Sequence, residues 1–377
     1  FILIMIISII FARGGLQERP LGWGYAHFSR DNMSNQLAQN TLFFLGRSVL
    51  QYYAEEPFAT QYPMHDKLAI IDTYQDIRDR NNGKRLNIKL NLEEKTLPNI
   101  ILIVLESFVS ENCNFLNSSQ KQTITPNLNK LVKNAISFER CFANGIRSAY
   151  GIGSILCSWP TLPGKPIIKQ VEASFVNNAG GEPMRIMTDL GYTQIFLYGG
   201  DASFDNMNGF AMANGFNQVI DWEDGFLKNN ATGTMWGLFD HIMFDRLVDI
   251  SDSCANDSSP FMITFFTTTN HNPFRVPDEY LTKLPKLDID DHLWYDKAKL
   301  TMLYDDLLIA EFLQKIEHSD WYDNTIFIIT ADHGLTVHRD ISNHPLNGHI
   351  PLIIFSELLD TNMIINKIVS QVDIFPT

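Results

Sequence analysis

Short apolar runs alternate with amphipathic stretches along most of the chain. The runs that predict strands are NIILIVL (99–105), YTQIFLY (192–198), FMITFFTT (261–268), TIFIIT (325–330) and IPLIIF (350–355). Helical periodicity occurs between them, at 125–136, 234–250 and 297–319. Continuous apolar strands that alternate with amphipathic helices are typical of a mostly parallel sheet with helices on both faces. The pattern therefore predicts an α/β fold in which a mostly parallel sheet is sandwiched by helices.

The first 96 residues follow a different pattern. FILIMIISIIFA (1–12) is apolar and uncharged and ends at Arg13. Because a helix needs about 20 residues to span a bilayer, two interpretations remain: the end of a transmembrane helix whose beginning is absent, or a buried N-terminal helix. A β-branched run that stops at an arginine favours the first. Residues 13–96 predict a helical connector with helices at 35–53 and 62–85, followed by the main domain at 97–377. We expect the chain to be cut at both ends.

Composition narrows the classes of protein that remain. The 377 residues are 45% hydrophobic and 19% charged, which is enough apolar material for a large core. The net charge of −14 argues against nucleic-acid binding, because little positive charge is available to replace the counterions of a phosphate backbone. The four cysteines are too widely spaced for a CxxC metal site or a dense disulfide framework. A single disulfide remains an alternative, and four buried free thiols are the favoured interpretation.

Polar side chains follow four of the predicted strands. Glu106 follows the first strand, Asp201 the second, His271 the third, and Asp332 with His333 the fourth. In a parallel sheet the ligand crevice lies at the carboxyl ends of the strands. One polar ending would be weak evidence, but four at the same edge predict a metal site or an acid/base site.

The types of side chain indicate the chemistry. Carboxylate and imidazole ligands without thiolate suit Zn²⁺, Mn²⁺ or Mg²⁺. Such an ion would polarise a phosphoryl or sulfuryl oxygen and lower the pKa of a bound hydroxyl. Ser148 is the candidate nucleophile, because it precedes a glycine-containing helix start, where backbone N–H groups favour an anion. An ordinary N-cap role for Ser148 is the open alternative.

Six motifs in order resemble a known family. They are PNIILIVLES, TPNLNKLVKNAISFERCFANG, GIRSAYGIGSILCSWPTLPG, TNHNPF, DNTIFIITADHG and HIPLIIF. Together they resemble the lipoteichoic acid synthase (phosphoglycerol transferase) group of sulfatase-like enzymes in the alkaline phosphatase superfamily. Residues 12–40 are also similar to the segment that follows the last transmembrane helix in that group. The resemblance implies transmembrane helices followed by an extracytoplasmic, sulfatase-like catalytic domain, here residues 97–377.

The resemblance also implies roles for individual residues. It implies one divalent ion, Mn²⁺ first with Mg²⁺ or Zn²⁺ as alternatives, held by Glu106, Ser148, Asp332 and His333. Ser148 would also be the nucleophile. His271 matches a histidine that contacts the substrate phosphate or assists the leaving group. Asp201, Arg147 and His349 match substrate-site positions.

The implied activity is transfer of phosphoglycerol from phosphatidylglycerol to a glycan or polyglycerolphosphate acceptor, through a covalent intermediate on Ser148. The implied location is a bacterial cell (inner) membrane, with the catalytic domain on the periplasmic or extracellular side. Alternatives are phosphoethanolamine transfer, sulfate-ester hydrolysis and a non-catalytic membrane-bound homologue. Sulfatase chemistry is disfavoured because AYGI follows Ser148, without the proline and arginine of the sulfatase motif. The sequence departs from the motifs of that family at two places. GIRS has serine where the family has threonine, and Asn206 and Asn208 stand where the family has a tryptophan and an arginine.

Overall fold

The structure, a computed structural model, describes residues 2–13, 16, 23–29, 31–39, 41–54, 66, 68–69, 71–73, 75, 97–162, 164, 166–170, 182–225, 232–257, 259–290, 292–337, 344–359 and 362–376. The helices are α1 Ile2–Arg13, α2 Asn32–Ala38, α3 Thr41–Ala54, α4 Leu128–Leu131, α5 Ser148–Cys157, α6 Glu182–Asp189, α7 Met207–Ala213, α8 Asp240–Ala255, α9 Asp278–Leu281 and α10 Trp294–Ile316. The strands are β1 Asn99–Leu105, β2 Ile136–Phe142, β3 Thr193–Tyr198, β4 Gln218–Ile220, β5 Gly233–Thr234, β6 Gly237–Leu238, β7 Phe261–Phe266, β8 Thr325–Ala331, β9 His349–Ile350, β10 Leu352–Phe355 and β11 Met363–Ser370.

The main sheet has the strand order β11-β2-β10-β8-β1-β7-β3-β4, and β9 pairs with β2. Strands β8, β1, β7, β3 and β4 run parallel, whereas β10 is antiparallel to both of its neighbours. Every residue of β1 is buried, as expected for a central strand covered on both faces. The predicted α/β fold is confirmed. Because β8, β1 and β7 are adjacent and parallel, their carboxyl ends meet at one edge.

The core lies between the sheet and helices that cross it. Phe244 of α8 packs edge-to-face on Phe265 of β7 with ring centroids 4.9 Å apart, and Phe312 of α10 meets Phe327 of β8 at 6.5 Å. All four cysteines are buried and free, so the favoured interpretation of buried thiols is confirmed. Burial raises the pKa of the Cys157 thiol to about 12, which keeps it unreactive.

Three predicted helices have different bounds in the structure. The stretch at 125–136 contains only the short α4 and a 3₁₀ turn, and β2 begins at its last residue. At 234–250 the first residues form the β5–β6 hairpin, and α8 begins at Asp240. The helix predicted at 35–53 is divided into α2 and α3. The helix predicted at 62–85 lies largely outside the described residues.

The apolar N-terminal run forms α1 and is not buried. Its large apolar side chains, Ile2, Leu3, Ile4, Met5, Ile6, Ile7, Ile9 and Phe11, are 43–81% exposed. The alternative of a buried N-terminal helix is therefore wrong. In the part of the chain that the structure describes, no helix combines the length and the hydropathy needed to cross a bilayer. That residues 1–12 end a transmembrane helix stays a prediction, as do the domain bounds at 13–96 and 97–377.

Candidate metal centre

The centre lies where β1 and β8 end side by side. The register pairs Leu105 with Ala331, so the next residues of the two strands, Glu106 and Asp332, are neighbours. The backbone N–H of Asp332 donates to the Leu105 carbonyl at 3.2 Å, which extends the pairing by one residue. One ligand atom each from Glu106, Asp332 and His333 lie within 4.8 Å of one another. Among the described residues, these three form the only such cluster of histidine, cysteine or acidic side chains.

Hydrogen bonds orient the three side chains toward a common point. Asp332 Oδ1 accepts from the backbone N–H of Ser107 at 2.8 Å and of His333 at 2.7 Å. Asp332 Oδ2 is buried and has no hydrogen-bond partner among the described residues. Glu106 Oε1 accepts from the Ser107 hydroxyl at 2.6 Å. Asp332 Oδ1 is thus held by two backbone N–H groups, while Asp332 Oδ2 stays available as a ligand.

The imidazole of His333 has the tautomer that a metal ligand needs. Its Nδ1 lies 2.8 Å from the Gly334 carbonyl, and a carbonyl only accepts, so Nδ1 carries the proton. The lone pair is therefore on Nε2, which lies 3.6 Å from Glu106 Oε1 and 3.4 Å from Asp332 Oδ2. A histidine ligand commonly donates its other N–H to a carbonyl in this way.

The electrostatics of the cluster favour a cation. Burial, and then the charge of Asp332, raise the pKa of Glu106 well above its ordinary value. Two buried carboxylates this close cannot both ionise without a compensating positive charge. The unpartnered Asp332 Oδ2, the free Nε2 of His333 and the carboxylate of Glu106 form a donor set that fits a divalent ion such as Mn²⁺, Zn²⁺ or Mg²⁺.

Ser148 completes the cluster from helix α5. It is the first helical residue, and its hydroxyl donates to Glu106 Oε2 at 3.3 Å. Arg147, with an extended backbone, occupies the N-cap position, so the interpretation of Ser148 as an N-cap is wrong. Helix α5 approaches the backbone of Asp332 very closely because residue 151 is glycine. A Cβ at this position would lie 1.8 Å from the Asp332 carbonyl oxygen. Gly334 allows a second close approach, 2.3 Å from a built Cβ to the Asn347 carbonyl oxygen.

The segment after β7 is fixed to the centre by Asn270. Its side-chain amide donates to the carbonyls of Glu106 at 3.0 Å and Ser107 at 3.2 Å. The next residue, His271, packs its ring on Trp236 with centroids 3.9 Å apart, and the Trp236 indole donates to the Asn272 carbonyl at 2.7 Å. His271 therefore lies on a constrained loop, directly after the residue that joins this loop to the centre. Its role with substrate stays a prediction.

The other predicted substrate residues are placed differently. Asp201 is nearly buried, and its carboxylate accepts from Ser203 at one oxygen and from the Tyr25 hydroxyl at the other, 2.5 Å away. His349 donates from Nε2 to the Glu139 carbonyl at 2.8 Å and stacks on Phe142. Both have structural partners, so their substrate roles stay predictions.

Arg147 and Asn206 are two further positions at which the resemblance raises the question of a substrate contact. Arg147 is exposed next to Ser148, where its positive charge is open to an anionic substrate. Asn206, which replaces a larger residue of the resembled family, is buried, and its amide donates to the Ile168 carbonyl at 2.8 Å. It therefore faces the interior.

Sequence reasoning missed several residues that shape the centre. Ser107 and Asn270 were passed over because serine and asparagine commonly end strands. Ser107 has a positive φ of 52°, which carries the chain away after Glu106. Trp236 is partly exposed and lies against His271. The adjacency of Asn270 to His271 in TTTNHNPF was the available signal.

Comparison with known proteins supports this picture. The model of the Sulfatase family matches residues 98–377. A lipoteichoic acid synthase-like protein of Bacillus subtilis is 23% identical over 238 residues, covering 62% of this chain and 36% of that protein. Phosphoglycerol transferase I of Xanthomonas euvesicatoria is 28% identical over 162 residues, covering 42% of this chain and 22% of that protein. The chain thus spans well under half the length of these relatives.

A solved structure confirms the fold. A protein of the alkaline phosphatase superfamily from Vibrio parahaemolyticus superimposes with a TM-score of 0.70 at 24% identity, covering 84% of this chain and 75% of that one. The resemblance to lipoteichoic acid synthase-like and phosphoglycerol transferase proteins, drawn from the motifs, is confirmed by these matches.

Proposed function

The chain belongs to the sulfatase family, and we propose that it is a metal-dependent phosphotransferase that moves phosphoglycerol from phosphatidylglycerol to a glycan or polyglycerolphosphate acceptor. The observation that carries the proposal is the Ser148 hydroxyl, 3.3 Å from Glu106 Oε2 at the start of α5. A hydroxyl in that place is both a potential ligand and a nucleophile. The names of the curated relatives support phosphoglycerol as the transferred group.

The metal would be held by Glu106, Ser148, Asp332 and His333. A bound divalent cation, Mn²⁺ in our proposal, would lower the pKa of the Ser148 hydroxyl and polarise the phosphoryl oxygens. The N–H groups of the first turn of α5 and the exposed Arg147 provide positive potential for the phosphate. Glu106 and Asp332 are buried, so their carboxylates are shielded from bulk water.

The chain's own residues account for two balanced steps. Ser148 enters the first step as its alkoxide, and its Oγ forms a bond to phosphorus while the ester bond to diacylglycerol breaks. His271 gives a proton to the departing diacylglycerol oxygen. The acceptor hydroxyl then gives its proton to His271 and attacks the same phosphorus. That second attack breaks the bond to Ser148 Oγ and releases Ser148 as the alkoxide, so the enzyme returns to its starting state. The Trp236 ring packs against His271 and limits the rotation of its imidazole.

A lipid donor implies work at a membrane surface. The exposed apolar residues of α1 and the phospholipid substrate together support a location at a bacterial cell membrane, with the catalytic domain on the periplasmic or extracellular side. The net charge of −14 agrees with a protein that has no nucleic-acid partner.

The test is release of diacylglycerol from fluorescent phosphatidylglycerol in mixed micelles with Mn²⁺, followed with and without EDTA. We expect release by the unmodified chain and loss of release with Ser148→Ala. Ser154→Ala is the matched control: Ser154 lies on the same helix but is buried and bonded to the Thr161 hydroxyl, away from the centre. This variant should retain turnover.

The other activities are outcomes of the same assay. Turnover of phosphatidylethanolamine in place of phosphatidylglycerol would assign the protein to phosphoethanolamine transfer. Turnover of an aryl sulfate alone would favour ester hydrolysis, although Ser148 lacks the following proline and arginine. Absence of turnover together with absence of Mn²⁺ binding would indicate a non-catalytic homologue and overturn the proposal.

A further inference from the structure

Asp240, the first residue of α8, holds the backbone of the segment that follows β7. It is fully buried, and its Oδ1 and Oδ2 accept the N–H groups of Thr268 and Thr269, each at 2.8 Å. The bonding is reciprocal, since the Asp240 N–H donates to the Thr269 hydroxyl at 3.0 Å. The Thr268 hydroxyl also donates to the Leu238 carbonyl at 2.7 Å. One carboxylate thus fixes two consecutive peptide groups.

The two peptide groups lead directly into the centre. Asn270 follows Thr269, and its amide binds the Glu106 and Ser107 carbonyls while its oxygen accepts the Thr301 hydroxyl at 2.5 Å. His271 comes next and packs on Trp236. A shift of the Thr268–Thr269 backbone would therefore move both Asn270 and His271.

Asp305 of α10 lies against Asp240. Its side chain is fully buried, and neither carboxyl oxygen has a donor among the described residues. Asp305 and Asp240 are near enough that their buried carboxyl groups cannot both be ionised. Asp240 already accepts two N–H groups that stabilise its ionised form, so Asp305 is the neutral partner. Burial, and then the charge of Asp240, raise the pKa of Asp305 well above its ordinary value.

We propose that Asp240 is a positioning residue that sets Asn270 and His271 against the metal centre, and that Asp305 of α10 supports the Asp240 carboxylate. The inference rests on the proposed function for its kinetic readout only. Neither aspartate touches substrate in this proposal. Each acts through the backbone of residues 268–271.

The test compares Asp240→Asn with Asp306→Asn. Asparagine presents one amino group where Asp240 has an acceptor oxygen, so one threonine N–H loses its partner. We expect kcat to fall about 10- to 100-fold, the range of one lost hydrogen bond to a charged group, with Mn²⁺ affinity within about threefold of the unmodified chain. The His271 imidazole protons, assigned by NMR with His271→Gln, should lose the upfield shift caused by the Trp236 ring.

Asp306→Asn is the matched control. Asp306 is the next residue of the same helix, is equally buried, and accepts the N–H groups of Asn127 at 2.9 Å and Leu128 at 2.8 Å, remote from His271. Its substitution should lower thermal stability without changing the His271 resonance. Retention of both kcat and the His271 shift in Asp240→Asn would overturn the proposal.

Two substitutions at Asp305 give a second, independent measurement. Asp305→Asn keeps a neutral polar group beside Asp240 and should stay within about threefold of the unmodified kcat, whereas Asp305→Leu removes that group and should behave as Asp240→Asn. Equal kcat values for the two variants would contradict the supporting role of Asp305. If Asp240→Asn does not fold, this pair of variants tests the proposal in its place. If the unmodified chain does not turn over phosphatidylglycerol, the proposed function fails, but the His271 resonances still decide this inference.

Discussion

Replacing Gly151 by alanine would separate α5 from the turn that carries Asp332 and His333. The added Cβ would lie 1.8 Å from the Asp332 carbonyl oxygen and 2.6 Å from its carbonyl carbon. Both are backbone atoms, so no side chain can rotate to relieve the contact. To reach even 3.0 Å, the shortest separation that real Cβ atoms tolerate, the helix and the turn must move apart by 1.2 Å.

That movement acts on the centre itself. Ser148 lies one helical turn before Gly151, and its hydroxyl is already 3.3 Å from Glu106 Oε2. An additional separation of this size breaks the contact and displaces Asp332 relative to Glu106. A misplacement of about 1 Å can cost about 100-fold in rate, and overpacking a closely packed site costs about 1–3 kcal/mol of folding free energy. We expect Mn²⁺ affinity to fall at least about tenfold and diacylglycerol release to fall about 100-fold.

Isothermal titration measures the Mn²⁺ affinity, and the lipid assay measures the release of diacylglycerol. Gly153→Ala is the matched control. Gly153 lies on the same helix, but a Cβ there would meet only the side-chain carbons of Ile167 and Ile168, at 2.8 and 3.3 Å. These side chains can adjust, so Mn²⁺ affinity should change less than about threefold. Unchanged Mn²⁺ affinity and turnover in Gly151→Ala would refute the claim that close helix packing builds the centre.

Two further predictions concern the connector and the pH dependence. Tyr25→Phe removes the hydroxyl that donates to Asp201 at 2.5 Å, so urea unfolding should show a loss of about 1 kcal/mol with Mn²⁺ affinity unchanged; a loss of Mn²⁺ binding would contradict this structural role. Because the pKa of Glu106 is raised in the folded state, its contribution to stability in EDTA should be present below pH 4.5 and decline as pH rises through the raised pKa. Glu106→Gln should make the urea midpoint less dependent on pH, and an identical pH profile for both chains would refute the assignment.

Burial on both faces explains why much of the sheet was predictable. β1, β7 and β8 are apolar almost throughout because helices cover them on each side, and their predicted bounds agree with the structure within two residues. The longer strands that were missed, β2 and β11, lie at one margin of the sheet, and the short β4 lies at the other. β2 contains a half-buried glutamate and an exposed arginine, and β11 is exposed at most of its positions. Such strands lack the continuous apolar run that identifies the others.

The centre itself was predictable to the extent that the sheet positions it. Glu106, Asp332 and His333 follow adjacent parallel strands, so strand order alone brings them together. The supporting contacts were not predictable in this way. Asn270 reaches a carbonyl 164 residues away, and Asp305 becomes a partner of Asp240 only when α8 and α10 pack. No local pattern in a single sequence encodes these pairings.

The same distinction explains which positions a family resemblance can place in space. Glu106 and Asp332 are held by strand register, so a match in sequence order implies a match in space. Asn206 lies in an irregular segment with φ of 63°, follows Asp205 with φ of 54°, and directs its amide to the Ile168 carbonyl. A residue in such a segment can face the substrate in one relative and the interior in another. The contacts that select the head group must therefore be measured in this chain, whereas the position of the candidate metal ligands follows from its sheet.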